Sequence, residues 1–82
     1  MKLSTQEYNT LSFLAEKSKM DCWFILEQDK NQDDYVYDLE NHRKMSVRQG
    51  VKQLFEGLTQ QDWNLLDPEQ SYVMAKLLGY CI

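Results

Sequence analysis

Residues 27–40, EQDKNQDDYVYDLE, hold six carboxylates against one lysine, the densest gathering of chemistry-bearing side chains in the sequence. Oxygen ligands at this density suit a hard cation. A helix-flanked calcium loop takes its ligands from positions 1, 3, 5, 7, 9 and 12, and here Asp29, Asn31 and Asp33 fall at 1, 3 and 5, with Glu40 at the bidentate position 12 and Val36 at the loop's apolar position. Asp34, however, stands where the sharp turn needs glycine. The residues before Asp29 are strand-forming, and NHRKMS after Glu40 is a poor helix start. A calcium-binding loop at 29–40 is therefore a minor expectation, and no metal ligand set is assigned.

Catalysis has less to stand on. The paired carboxylates Asp33 and Asp34 have the chemistry for acid–base work, but that needs a cleft which a small domain scarcely encloses. The single histidine, His42, lies in a polar segment with no serine or cysteine nucleophile at a recognisable turn. No Gly-rich phosphate loop and no cofactor motif is present. The sequence points to a protein that is not an enzyme and holds no cofactor.

Opposite charge follows directly. Residues 42–52 carry Arg43, Lys44, Arg48 and Lys52 with no acid, so an acidic segment is succeeded by a basic one. Charge segregated in this way steers encounters with charged partners. The four cations make a nucleic-acid-associated module the alternative reading, since phosphate binding needs several cations presented together. Against it stand the chain's net charge of −4 and its pI near 4.8. Residues 58–78 superficially resemble a helix-turn-helix, but the second helix would offer DNA Glu69 and one cation, Lys76. Direct nucleic-acid binding is not the first expectation.

A protein–protein contact is. Aromatic side chains are the usual interface anchors and nearby charges set complementarity, which makes Trp23, Tyr35 and Tyr37, with Asp33, Asp34 and Asp38, the expected contact residues. Plain core packing competes for each aromatic singly. The expected function is a small non-catalytic interaction or regulatory domain that binds a protein partner or a second copy of itself through the hairpin region. In one variant the carboxylates imitate phosphates, as an acidic decoy.

At 82 residues the chain makes one domain, residues 1–82, near the lower limit for a self-sufficient core. MKLSTQEYN lacks the apolar stretch of a secretory signal and no apolar run spans a bilayer, so a cytoplasmic protein without membrane contact is expected. Cys22 and Cys81 lack ligand spacing and are expected as reduced, largely buried thiols. The compact acidic character is similar to that of small accessory proteins of bacteria and their phages, a likeness of composition and not of motif.

Four elements of one kind must position these groups. Ser4 with Glu7, Ser46 with Gln49, Thr59 with Asp62 and Asp67 with Gln70 each place a short polar residue three positions before a side chain that reaches back to the free N–H, a helix-start pattern. The first helix buries Tyr8, Leu11, Leu14, Ala15 and Ser18 and ends near Lys19. The second carries Val47, Val51, Leu54, Phe55 and Leu58 and ends at Gly57 in a left-handed turn. Gly50 in its middle implies that another backbone packs close by. The third, Gln60 to Leu66, plugs the core, and the fourth runs from Pro68 to Leu78 with Gly79 as its cap. CWFILE and YVYDLE have the composition of two antiparallel strands. Alternation places Tyr35, Tyr37 and Leu39 on one face, expected inward, with Val36, Asp38 and Glu40 outward. The first strand is apolar on both faces and needs cover on its second side. The fold class is α+β, order α-β-β-α-α-α, with a two-stranded hairpin packed on a helical layer.

Overall fold

The computed structural model describes residues 1–81 and orders them as α1 (Thr5–Lys17), β1 (Phe24–Glu27), β2 (Tyr35–Asp38), β3 (Arg43–Ser46), α2 (Val47–Gly57), α3 (Gln60–Asn64) and α4 (Pro68–Cys81). The chain is an α+β domain, and its sheet has three antiparallel strands in the order β1-β2-β3. The third strand is the addition to the expected hairpin. RKMS contains no aromatic or β-branched residue and buries only Met45, so it lacks the composition that marks a strand. An edge strand kept short and cationic resists pairing with other chains.

All four expected helix starts form. Ser4, Thr59 and Asp67 exchange reciprocal hydrogen bonds with Glu7, Asp62 and Gln70, and each box satisfies two otherwise free N–H groups. At Ser46 only the forward half forms, its Oγ accepting from the Gln49 N–H at 3.2 Å. Ser46 is also the last residue of β3, paired with Tyr35, so one residue ends the strand and starts the helix.

α1 ends near Lys19 as expected, whereas the ends of α2, α3 and α4 differ from expectation. α1 stops at Lys17 and closes in a Schellman turn: Met20 N–H donates to the Ala15 carbonyl and Lys19 N–H to that of Glu16, with Lys19 at φ 61°. No glycine has positive φ, so Gly57 does not end α2 in a left-handed turn; the Met20 methyl lies where its Cβ would be. α4 runs through Gly79 to Cys81. α3 ends at Asn64 and buries none of its residues; Leu66, just beyond it, enters the core instead. Trp63 stacks on Phe55 of α2, ring centroids 5.1 Å apart.

α1 and α2 cover one face of the sheet and α4 packs across both helices. Leu11, Leu14, Val47, Val51, Leu54, Met74 and Leu77 form the centre of the core with Val36. Each deeply buried aliphatic side chain contributes about 1.5–3 kcal/mol relative to its exposure. No helix among the described residues is long and apolar enough to cross a membrane.

The facing of β2 corrects the alternation expected from its tyrosines. Val36 and Asp38 are buried, Tyr35 and Tyr37 are half-buried on the opposite side, and Leu39 is exposed. Val36 points inward because α2 offers it the open position at Gly50; a Cβ there would lie 2.5 Å from Val36 Cγ2. The close neighbour of Gly50 is thus a side chain and not a backbone. Since strand periodicity is two, fixing Val36 inward turns every tyrosine outward.

Candidate functional site

The outward face of the sheet brings together Ile25, Tyr37 and Lys44, which are direct cross-strand partners, and Glu27 and Tyr35, which pair at the next outward position. Ile25, Tyr35 and Tyr37 are half-buried and none of them packs on the hydrophobic core. The Lys44 ammonium lies over the Tyr35 ring, 4.1 Å from its centroid. This cation–π contact contributes roughly 0.5–1 kcal/mol at an exposed site and fixes both side chains. Neither α1 nor α2 covers this face, so the cover expected for the second side of β1 is not supplied by the described helices.

The other expected contact residues divide by depth. Trp23 precedes β1, is half-buried against the core and meets Phe24 edge-on at 5.4 Å. Asp33 is open to solvent, its side chain 76% exposed, and pairs with the Met1 ammonium at 2.7 Å. Asp34 and Asp38 are turned inward, each with a side chain 2% exposed.

Each buried carboxylate organises a turn. Asp34 Oδ2 accepts the Leu3 N–H at 2.8 Å, Oδ1 meets Lys2 Nζ at 3.3 Å, and the Asp34 N–H donates to the Met1 carbonyl. Residues 1–3 are thereby pinned beside the start of β2. Burial alone raises a carboxyl pKa, but at Asp34 the Leu3 N–H and the Lys2 charge outweigh it and the net direction is down. Asp38 accepts from both the side-chain amide and the N–H of Asn41 and faces Arg43 Nε at 3.5 Å. The Asn41 side chain leads the causes that hold Asp38 below the usual range, against the opposing effect of burial. These bonds shape the β2–β3 turn, in which His42 takes φ 53°.

The calcium-like spacing is divided by β2. Asp29 accepts the Asn31 N–H at 2.9 Å in a local turn before the strand, whereas Glu40 lies beyond its far end. An extended strand of four residues spans about 13 Å, so the two ends do not wrap one point. No group of three or more acidic, histidine or cysteine side chains converges among the described residues.

The basic residues separate likewise. Lys44 and Arg48, with Tyr35 and the exposed Tyr80, line an open groove of about 760 Å³ beside the start of α2; Arg48 and Lys52 line an adjoining one of about 300 Å³. Arg43 is committed to Asp38 at the opposite end of β3. Arg48 also donates through Nε to the Cys81 carbonyl at 3.1 Å. Both thiols are free, but only Cys81 is buried and Cys22 is exposed. The residues before β1 form a turn held by the Trp23 and Phe24 N–H groups on the Met20 carbonyl, so Cys22 falls outside the strand's alternation.

Sequence reasoning missed Tyr80 and the Lys44–Tyr35 pair. The latter was legible only with the third strand in place, because the two residues lie on neighbouring strands. No family model matches the chain, and no curated protein or solved structure matches it either.

Proposed function

We propose that this protein is a small non-catalytic interaction domain which binds a protein partner, or its own second copy, through the outer face of its sheet. The observation supporting this most directly is the set Ile25, Tyr35 and Tyr37, held rigidly by strand pairing yet directed away from the core. Aromatic side chains fixed at low entropic cost are what interface centres use. Lys44 lies over Tyr35, and Asp33, paired with the Met1 ammonium, lies just before β2. Since Asp34 and Asp38 are internal, an acidic display of the decoy kind would rest on Glu27, Asp29, Asp33 and Glu40.

The test is site-specific photo-crosslinking in the native cell, with a benzophenone side chain replacing Tyr37 and, as control, the 70%-exposed Tyr72 of α4. A discrete crosslinked species from position 37 and none from 72 is expected. Absence of any product from 37, or the same products from both positions, refutes the outer face as the contact. Crosslinked mass distinguishes a second copy from another protein.

A second reading rests on a different observation, the placement of Lys44, Arg48 and Lys52 along adjoining grooves with Tyr35 and Tyr80. Asp33 and Asp34 line the larger groove too, but each is paired, with the Met1 ammonium and Lys2, so the three cations are the charges left to face an anionic polymer. Binding to a generic duplex should then fall steeply between low and physiological salt, with a slope of log K against log salt of about −0.9 per phosphate neutralised. A mobility shift lost on Lys52→Gln supports it; no shift at low salt eliminates it.

A further inference from the structure

In an antiparallel ladder a residue directs its N–H and C=O to the same side, and its neighbours direct theirs to the opposite side. The Phe24 N–H donates to Met20 and the Leu26 carbonyl accepts from the Tyr8 hydroxyl at 3.5 Å. Phe24 and Leu26 therefore direct their backbone groups away from β2, leaving the Phe24 carbonyl and the Leu26 N–H on the open edge of the sheet. The bond from Tyr8 is at the outer limit of hydrogen-bond length and correspondingly weak. α1 lies beside this edge without closing it. Between helix and strand runs an open groove of about 330 Å³ lined by Tyr8, Ser12, Glu16, Asp21 and Ile25.

We propose that this groove accepts an extended, cation-bearing segment of a partner protein as a fourth strand, paired to β1 and covered on its inner side by α1. The inference rests on the reading of the protein as an interaction domain and assigns that domain a specific mode of recognition. Backbone pairing to an exposed edge supplies affinity, and alternate side chains supply selectivity. Glu16 and Asp21 are exposed on the walls and no cation lines the groove, so a lysine or arginine in the incoming strand meets complementary charge. The length of β1 limits the pairing to three or four residues. A second copy is the poorer occupant: antiparallel joining of two β1 edges about a two-fold axis near Ile25 sets the Asp21 end of one copy beside the Glu27 and Asp29 end of the other, and like charges across a strand pair are destabilising.

The probe is an acetylated, amidated Val-Lys-Val-Lys-Val peptide titrated into the ¹⁵N-labelled protein and followed by amide chemical shifts. Shifts are expected at residues 24–26 and along the groove side of α1. They should weaken about tenfold or more with the Val-Glu-Val-Glu-Val peptide or in Glu16→Lys/Asp21→Lys, reflecting loss of charge complementarity. N-methylation of alternate peptide nitrogens should abolish them in one of the two registers. No shift with the lysine peptide at millimolar concentration, equal shifts with both peptides, or shifts confined to Tyr35 and Tyr37 overturn the proposal. A benzophenone at Ser12 separates this failure from that of the interaction reading. Products from position 37 but not 12 refute strand addition alone, and products from neither refute both.

Discussion

Val36 of β2 occupies the space above Gly50 of α2 so closely that a methyl group on Gly50 would stand 2.5 Å from Val36 Cγ2 and 2.8 Å from its Cβ. This contact sets the closest approach of α2 to the sheet and places Val36 on the internal face of β2. Gly50→Ala improves helix propensity by about 1 kcal/mol, yet the overlap must be relieved by displacing α2 or Val36, which typically costs 1–3 kcal/mol. Net destabilisation is expected by urea unfolding. In Val36→Ala/Gly50→Ala the Cγ contacts are gone while the Cβ contact remains, so a double-mutant cycle should show partial and not full rescue.

Gly79 gives the opposite sign. It lies inside α4, is exposed, lacks positive φ and has nothing within 4 Å of its Cβ position. Gly79→Ala should stabilise by roughly 0.5–1 kcal/mol, raising Tm by several degrees in a domain of this size. An unchanged or lower Tm would contradict α4 continuing beyond residue 78.

These two glycines show why parts of the fold were legible and others were not. Helix starts depend on residues three apart, and Ser4, Ser46, Thr59 and Asp67 all cap as the spacing predicts. The facing of β2 depends on Gly50, ten or more residues away. With no view of that vacancy, the two tyrosines outweigh one valine and the strand turns the wrong way. β3 was hidden because RKMS is stabilised by pairing and not by composition. At the candidate site the tyrosines and the cations were identifiable as residue types, but their grouping depends on strand order, which unites Lys44 with Tyr35 and sends Arg43 to Asp38.

Acid should unfold the protein partly through Asp34 and Asp38. Both are held below the ordinary carboxylate value of 3.8, Asp34 by the Leu3 N–H and Lys2 against burial and Asp38 chiefly by Asn41. Between the lowered folded value and the ordinary unfolded one, the unfolded chain binds more protons, so stability rises with pH there. Their contribution is complete above the unfolded pKa and is lost as pH falls through the folded values. Urea unfolding free energy measured downward from pH 5 should decline most steeply below about pH 4, and Asp34→Asn should flatten that slope. Retention of the full slope in Asp34→Asn/Asp38→Asn would assign acid sensitivity to other carboxylates.

Asp34→Ala tests the anchoring of residues 1–3. The Leu3 N–H then lacks its partner in a buried setting, a loss of about 1–3 kcal/mol. Hydrogen exchange at Leu3 should accelerate far more than at Leu54, whose protection reports global unfolding. Equal acceleration at both would mean that the carboxylate supports the whole domain and not this strap alone.

Arg48 is placed to serve either the basic groove or the end of α4, and thiol labelling separates the two. Its Nε donates to the Cys81 carbonyl, joining the start of α2 to the last described turn of α4. Cys22 is exposed, whereas burial pushes the Cys81 thiol up and makes it a weaker nucleophile. Under native conditions a disulfide reagent should modify one thiol rapidly and the second slowly, the slow phase reporting openings of α4. Arg48→Ala removes the tether and should speed only the slow phase, while Lys52→Ala, which alters the same groove but leaves the Arg48 hydrogen bond to Cys81 in place, should leave it unchanged. If Arg48→Ala leaves Cys81 protection intact but reduces duplex binding, its guanidinium serves the groove. If it speeds labelling and leaves any duplex binding unaltered, Arg48 is a structural clasp and the anionic-polymer reading is left with Lys44 and Lys52, fewer cations than such binding ordinarily uses.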